Sequence, residues 1–194
     1  VLERARQPAP DVLDTAVRHI ETKKDRTLSH GYRSELHLQK PAWLQPVSAH
    51  MARGLALVIA YGHPRDSNYP PDRTDGTLLC YFRLPAPADP FFWPGLQALS
   101  AWVAFTALAE AADGCELAVE GYICQAMFLL GCGLEQVLQD QVSESDDGGV
   151  ALGAQARQLT LPGMMGEKFQ VMGLGRGLDF EPRGFSLLDL RYRL

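Results

Sequence analysis

The chain has 194 residues, of which 46% are hydrophobic and 21% are charged. These are ordinary globular values, and a domain of this length buries roughly 70% of its unfolded surface without a disulfide or metal staple. The net charge of −5 argues against a general polyanion-binding protein, because affinity for phosphate requires a clustered positive surface.

The cysteines and the apolar segments predict a cytoplasmic protein that does not contact a membrane. All four cysteines have apolar neighbours, which is typical of reduced core thiols: Cys80, Cys115, Cys124 and Cys132. Residues 1–11 lack the pattern of an export signal, and the most apolar stretch, 123–132, is about half the length of a membrane-spanning helix. We therefore expect a single domain over residues 1–194.

The first 46 residues predict a helix, a strand and a connector. Apolar residues recur with helical spacing between Asp11 and Lys24, which indicates an amphipathic helix. Apolar and polar residues alternate over 32–39, as in a half-exposed strand. Residues 40–46, KPAWLQP, form a proline-bounded connector.

Two strands and a long loop are predicted in the next segment. Residues 54–62 form a continuous apolar run bounded by glycines, which is typical of a central strand. Residues 77–84 predict a second strand. The polar loop 62–76 between them is expected to project from one end of the sheet if the two strands pair as a hairpin.

The remaining elements define the expected fold class. Residues 95–113 are rich in alanine and leucine and predict a long, buried helix, whereas 115–133 could be helix or strand. Three further strand-like runs follow, at 156–161, 167–174 and 184–194. We expect an α+β fold in which a mainly antiparallel sheet is packed on one face by the long central helix plus the N-terminal helix.

Aromatic residues near prolines form a candidate recognition surface. The candidate partner-binding residues are Tyr69 in loop 62–76, the cluster Phe91, Phe92 and Trp93, and Trp43. Aromatic side chains are enriched in interface cores, and proline-bounded loops lower the ordering cost of binding. The alternative is that these rings fold inward over the long helix.

A glycine-rich segment near the C-terminus is a candidate anion site. Gly173, Gly175 and Gly177 could let backbone N–H groups converge, and Arg176 and Arg183 could clamp a phosphate. A dinucleotide fingerprint would open a helix, but a strand-like pattern follows here. The alternative is a hairpin or bulge in which the glycines supply positive φ.

Residues 173–190 place this glycine-rich loop just before a C-terminal strand. In this respect the segment resembles the closing segment of CRISPR RNA endonucleases, and that resemblance implies action on RNA. No catalytic residue is carried over from it.

The sequence favours a non-catalytic binding or accessory protein, of a bacterial adaptor or immunity type. It would recognise a protein or peptide through loop 62–76 and the aromatic residues of 90–94. The alternative is an enzyme that acts on phosphate or RNA through the Arg/Gly-rich loop, with a histidine such as His63 as acid or base. No cofactor or metal is predicted, the acidic charge disfavours a nucleic-acid partner, and catalytic activity stays open.

Overall fold

The structure, a computed structural model, describes residues 8–82, 89–144 and 149–194. The chain divides into two compact units. Unit 1 comprises Val1–Leu38 and Arg65–Trp102, and unit 2 comprises Gln39–Pro64 and Val103–Leu194. Whether the two fold as one domain stays a prediction.

The described residues contain eight α-helices and six strands. The helices are α1 Asp11–Lys24, α2 Lys40–His50, α3 Arg65–Asn68, α4 Phe105–Asp113, α5 Gln125–Gly131, α6 Leu134–Glu144, α7 Val150–Thr160 and α8 Met165–Lys168. The strands are β1 Gly54–His63, β2 Leu79–Tyr81, β3 Ala98–Ser100, β4 Val103–Ala104, β5 Ala118–Cys124 and β6 Phe169–Arg176. None of these helices is long and apolar enough to cross a membrane.

Unit 1 contains α1, α3 and the antiparallel pair β2–β3. The predicted helix over 11–24 is confirmed. The predicted strand over 32–39 is wrong, since only an isolated bridge between Arg33 and Asp75 forms there. The reason is the Glu35 carboxylate, which accepts hydrogen bonds from Thr77 N (2.9 Å), Thr77 Oγ1 (2.8 Å) and Leu78 N (3.1 Å). This segment is held by side-chain bonds rather than by a strand ladder.

Unit 2 is built on a four-stranded sheet in the order β4-β1-β6-β5. The central pairs, β1–β6 and β5–β6, are antiparallel, whereas β1 and β4 are parallel. The predicted mixture of helices with a small sheet is confirmed, but a mainly antiparallel sheet is not, because this sheet is mixed. The strand predicted over 54–62 is β1, and it pairs with β6 and β4. The condition for a projecting loop, a hairpin between 54–62 and 77–84, is therefore not met in the described residues. Residues 83 and 84 lie outside the described residues.

The long helix predicted over 95–113 is wrong in its first half. Residues 98–100 form β3, Val103 and Ala104 form β4, and the helix begins only at Phe105. The ladder between β2 and β3 and the bond from Trp102 N to Thr77 Oγ1 (3.0 Å) hold this stretch extended. Tertiary pairing therefore overrides the helix propensity of alanine and leucine.

Three other segments also differ from their predictions. The connector at 40–46 lies in α2, whose first turn accommodates a proline, and the run at 156–161 lies mostly in α7. The run at 167–174 is confirmed as β6. The last run, 184–194, forms 3₁₀ turns instead of a strand, and the ambiguous stretch 115–133 contains β5 followed by α5.

The sheet of unit 2 separates two apolar clusters. Tyr122 and Ile123 are successive residues of β5, so they point to opposite faces. Tyr122 packs with Phe105 and Leu108 of α4 and with Leu44 of α2. On the other face, Ile123 packs in a smaller cluster with buried side chains of α5, β6 and the C-terminal segment: Phe128, Val171 and Phe185.

Candidate functional site

The carboxyl ends of three strands meet at one edge of the unit 2 sheet. β1 is parallel to β4, and both β1 and β5 are antiparallel to β6, so β1, β4 and β5 point the same way. They end at His63, Ala104 and Cys124. In open α/β sheets, ligands bind in the crevice outside the carboxyl ends of the strands. This edge is therefore the first candidate site.

Gly62 allows β4 to approach β1 at this edge. The two strands pair at Gly62↔Val103 and His63↔Ala104. A Cβ on Gly62 would collide with the backbone oxygen of Val103 and would lie 2.7 Å from its nitrogen. Because backbone atoms cannot give way as the end of a flexible side chain can, this contact requires glycine.

Lys40 is a half-buried lysine at the same edge. Its Nζ donates a hydrogen bond to the carbonyl oxygen of Ala104 at 2.9 Å. Burial lowers the pKa of Lys40 to about 8, and the nearby Glu110 partly opposes that shift. The ammonium group is therefore easier to deprotonate than an ordinary lysine, which is a property of both catalytic and structural buried amines.

Two of the three strands at this edge pass into helices without a loop. α4 begins directly after β4, and α5 begins directly after β5. Gln125, the first residue of α5, is buried, and its Nε2 donates to the carbonyl oxygen of Leu159 at 2.9 Å. These junctions leave no glycine-rich turn of the kind that wraps a phosphate or a nucleotide.

The predicted glycine cluster lies in β6 and just after it. A Cβ on Gly173 would lie 2.8 Å from Phe185 Cε2, and one on Gly175 would collide with the Glu120 carboxylate. The space above these two glycines is thus filled by the chain's own side chains. Gly177 has a φ of +60°, in the region that favours glycine. The alternative prediction for these glycines was a hairpin or bulge. A register shift of this kind occurs in the neighbouring strand β5, between Val119 and Gly121.

The N–H groups of the Arg176 guanidinium all donate hydrogen bonds to acceptors within the protein. Its guanidinium has five N–H groups, and five acceptors surround it. Nη1 donates to the carbonyl oxygens of Ser48 (2.8 Å) and Met51 (3.1 Å), and Nη2 donates to Ser48 Oγ (2.5 Å) and Cys115 O (2.8 Å). Nε donates to Glu116 O at 3.3 Å. Arg176 thereby links the end of α2 to the turn after α4; we call this set of hydrogen bonds the clasp. An anion could bind Arg176 only by displacing one of these bonds.

Arg183 begins the first 3₁₀ turn of the C-terminal segment. Its carbonyl oxygen accepts a hydrogen bond from Ser186 N at 3.1 Å and from Ser186 Oγ at 2.7 Å. Its guanidinium lies beside Gly133, 3.1 Å from where a Cβ would stand. Anion binding by Arg183 and Arg176 stays a prediction.

A pocket of about 360 Å³ lies beside the C-terminal segment. Its lining includes the carboxylates of Glu120, Glu181 and Asp189 and one guanidinium, that of Arg191. Asp189 is already engaged, because its Oδ1 accepts hydrogen bonds from Tyr122 N (3.1 Å) and Arg191 N (3.0 Å). The excess of negative charge makes this pocket unsuitable for a phosphate.

The structure places four of the five predicted partner-binding residues in unit 1. Phe91, Phe92 and Trp93 are half exposed, and the rings of Phe92 and Trp93 pack against each other with centroids 4.3 Å apart. Tyr69 is only 4% exposed, and its hydroxyl donates to the Glu35 carbonyl at 3.2 Å. Trp43 is exposed on α2, in unit 2. Use of these side chains as contact residues stays a prediction.

Comparison with known proteins identifies the family. Residues 3–123 match the model of a family described as "Putative S-adenosyl-L-methionine-dependent methyltransferase". The chain belongs to this methyltransferase family. No curated protein matches it.

Two solved structures from Burkholderia thailandensis resemble the chain. An uncharacterized superfamily protein shares 33% identity with a TM-score of 0.87, over 98% of this chain and 50% of its own. A second structure, described as a "likely methyl transferase" bound to S-adenosyl-homocysteine, shares 33% identity with a TM-score of 0.83, over 97% of this chain and 47% of its own. The chain thus spans about half the length of the structures it matches.

These findings correct the function inferred from the sequence. The sequence predicted a non-catalytic accessory protein that binds a protein or peptide through loop 62–76 and the 90–94 aromatics. This prediction is wrong, because the chain belongs to a methyltransferase family. The family also gives no support to an enzyme acting on phosphate or RNA. The expected protein or peptide partner is also wrong, because the chain belongs to a methyltransferase family and the relative is described as bound to a small molecule, S-adenosyl-homocysteine. Sequence reasoning from short motifs missed the family, whose model matches over 121 residues.

The described residues do not form a cradle for S-adenosylmethionine. In a doubly wound sheet, a nucleotide cofactor is held by a glycine-rich turn between a strand and a helix, with an acidic residue for the ribose. Here the strand-to-helix junctions β4–α4 and β5–α5 have no intervening residue, and side chains fill the space above Gly173 and Gly175. These junctions and glycines of unit 2 therefore do not supply such a turn for the methyl donor.

Proposed function

We propose that this chain acts in S-adenosylmethionine-dependent methyl transfer, as the part of the catalytic domain that completes the sheet beside the nucleotide-binding half. The similarity to the S-adenosyl-homocysteine-bound structure, at 33% identity over 97% of this chain, supports the reaction. The lack of a glycine turn at the β4–α4 and β5–α5 junctions supports the assignment of nucleotide binding to the other half of the domain. A member of this family needs contacts to the nucleotide, and that half would provide them.

In this proposal the edge formed by His63, Ala104 and Cys124 lines one side of the reaction site. Gly62 keeps β4 close to β1, so the ends of the two strands stay level. Lys40 caps the end of β4 through the Ala104 carbonyl. These residues shape and support the edge. A cytoplasmic location stays part of the proposal, and residues 1–194 are proposed to lie within one domain.

Calorimetric titration with S-adenosyl-homocysteine tests the proposal. We expect no saturable binding by this chain alone, because the β4–α4 and β5–α5 junctions of the described residues offer no glycine turn to hold the nucleotide. The same titration is repeated with the chain combined with the unmatched half of the Burkholderia relative. There we expect one site for each pair and transfer of a labelled methyl group.

Two outcomes would contradict this division of labour. Stoichiometric binding of S-adenosyl-homocysteine to the chain alone would show that its own residues form the cradle. A stable pair of the two halves that binds no S-adenosyl-homocysteine would refute methyl transfer as the function of this sheet.

A further inference from the structure

Residues 89–97 of unit 1 form a turn that is held together by its own hydrogen bonds, and we call it the aromatic turn. The Asp89 carbonyl oxygen accepts hydrogen bonds from Phe92 N (3.1 Å) and Gln97 Nε2 (3.1 Å), and Asp89 Oδ1 accepts one from Phe91 N (3.0 Å). Gln97 Nε2 also donates to the carbonyl oxygen of Phe92. These bonds fix the backbone of the turn without a helix or a strand.

Trp93 adopts an unusual backbone conformation within this turn. Its φ is +50°, in the left-handed region, where a large side chain is rare. The Leu96 amide donates to the Trp93 carbonyl oxygen at 3.0 Å, and prolines 90 and 94 flank the segment. Residues held in such conformations by their surroundings cluster at functional sites, so the placement of this indole points to a use for it.

The turn holds its aromatic rings in one exposed cluster. The Trp93 ring lies 4.3 Å from that of Phe92 at an interplanar angle of 31°, and 4.7 Å from that of Phe82 at 73°, measured between centroids. Phe92 and Trp93 nevertheless stay 46% and 49% exposed. Rings that support each other in this way present electron-rich surface to a ligand without having to be ordered first.

The charge near the rings indicates which class of ligand they attract. Of the described residues between positions 77 and 104, only Asp89 is charged. The face of an aromatic ring is partially negative, so ring faces beside a carboxylate attract a cation. A primary ammonium is strongly hydrated, whereas an alkylated ammonium loses less hydration against a ring. Unit 1 already contains one contact of this type, because the Arg73 guanidinium lies 4.2 Å from the centroid of the Trp102 ring.

We propose that Phe82, Phe92 and Trp93 form a binding site for a small alkylated ammonium ion, whose methyl groups lie against the ring faces. The ligand is a free solute rather than a lipid head group, because a membrane-binding surface carries lysine or arginine, and none occurs among the described residues of this segment. The inference goes beyond the proposed function and does not depend on it.

A ligand-detected NMR titration of the chain tests the proposal with choline as the probe. The comparison compound is the neutral isostere of choline, in which carbon replaces the nitrogen. We expect choline to bind about 10-fold more tightly than the isostere, because only the cation is attracted to the ring faces. Methylammonium, which is smaller and more strongly hydrated, should bind more weakly than choline.

Variants of the rings locate the site. Trp93→Leu should weaken choline binding about 10-fold and leave the isostere unaffected, since leucine keeps an apolar contact but has no ring face. Phe92→Leu, at a position with ordinary backbone, should weaken choline binding about 3-fold and guards against a disturbed turn in the first variant. Trp43→Leu is the matched control, because Trp43 is 55% exposed on α2 in unit 2, and it should change nothing.

Five outcomes would overturn the proposal. They are a lack of saturable choline binding, equal affinity for choline and its isostere, and an equal loss of binding in Trp43→Leu and Trp93→Leu. A dimer of the chain that Trp93→Leu dissociates would show that a second copy covers the rings. Sedimentation with phosphatidylcholine vesicles that Trp93→Leu abolishes would assign the rings to a lipid surface instead.

Discussion

Replacement of Arg176 by alanine should remove the clasp between the end of α2 and the turn after α4. The side chain is only 26% exposed, and all five of its N–H groups donate to protein acceptors. Four of these acceptors are backbone carbonyls, which belong to Ser48, Met51, Cys115 and Glu116. Alanine would leave them without the charged donor.

The magnitude follows from the number of acceptors that lose their donor. A hydrogen bond to a charged group contributes about 1.5–3 kcal/mol, but water can reach part of this site and the five bonds are not additive. The Ser48 carbonyl keeps the Met51 amide as a donor (3.1 Å) and the Cys115 carbonyl keeps Ser48 Oγ (2.6 Å), so two carbonyls, those of Met51 and Glu116, are stranded. Taking about 1 kcal/mol for each of them, we expect Arg176→Ala to lower the free energy of unfolding by about 2 kcal/mol. For a protein of this size that corresponds to a fall in Tm of about 4–8 °C.

Urea denaturation followed by circular dichroism measures this loss. Arg176→Lys should recover about half of it, since an ammonium group has three donors and lacks the planar fork. Arg18→Ala is the matched control, because that arginine is exposed and bonds Asp14 on its own helix, and it should leave Tm nearly unchanged. A loss below about 1 kcal/mol for Arg176→Ala would refute the reasoning, because the clasp would then contribute no more than a surface contact.

Three further predictions concern unit 2. The pKa of Lys40 is about 8 in the folded chain, against 10.5 as the ordinary value, so between these pH values only the unfolded state keeps the proton and stability should rise with pH by up to about 3 kcal/mol. Denaturation at pH 7.5 and pH 10 should show this rise in the wild type but not in Lys40→Met, and an equal rise in both would contradict the assignment. Gly62→Ala should lower stability by about 2–3 kcal/mol because its Cβ meets the Val103 backbone, whereas Gly153→Ala, inside α7, should be neutral or stabilising by thermal melting because its Cβ would make only an ordinary contact with Arg157 Nη1 at 3.7 Å. Phe185→Ala should lose about 3–5 kcal/mol in urea denaturation, since Phe185 fills the space above Gly173; a loss under about 1 kcal/mol would show that the C-terminal segment is not anchored there.

Local patterns predicted the elements whose cause is local. The helix over 11–24 follows from apolar residues at helical spacing, and β1 follows from a continuous apolar run between glycines. The backbone of α1 is hydrogen-bonded within the helix, and the backbone of β1 pairs with β6 from Gly54 to Tyr61. Leu57 and Ile59 on one face of β1 remain about half exposed. The structure agrees with the prediction for α1 and β1 and differs from it in the segments next to them.

Elements that depend on distant contacts were mispredicted. Residues 98–100 have good helix formers, yet they pair with β2, which lies about 20 residues earlier in the chain. The alternating pattern at 184–194 suggests a strand, but Asp189 Oδ1 accepts the amide of Tyr122 and the Leu190 amide donates to the Tyr122 carbonyl at 2.7 Å. These bonds tie the segment to β5 as 3₁₀ turns.

In the candidate site, too, the sequence identified unusual residues, and only the structure showed what they contact. The sequence marks Arg176 and the glycines around it as unusual, and an anion site is a reasonable interpretation of arginine beside glycine. The structure shows what surrounds them: protein acceptors for the guanidinium, and Phe185 and Glu120 above Gly173 and Gly175. Glycine can serve either a ligand or a neighbouring side chain, and only the neighbours distinguish the two.

The sequence by itself determined that the chain is an ordinary globular one with an N-terminal amphipathic helix and one strongly apolar strand, because composition and periodicity are properties of neighbouring residues. Only the tertiary structure decided the sheet order β4-β1-β6-β5, the burial of Tyr69 and the open edge of β1. Strand pairing joins residues that are more than a hundred positions apart, as Gly54 and Arg176 are, and no local pattern encodes that choice.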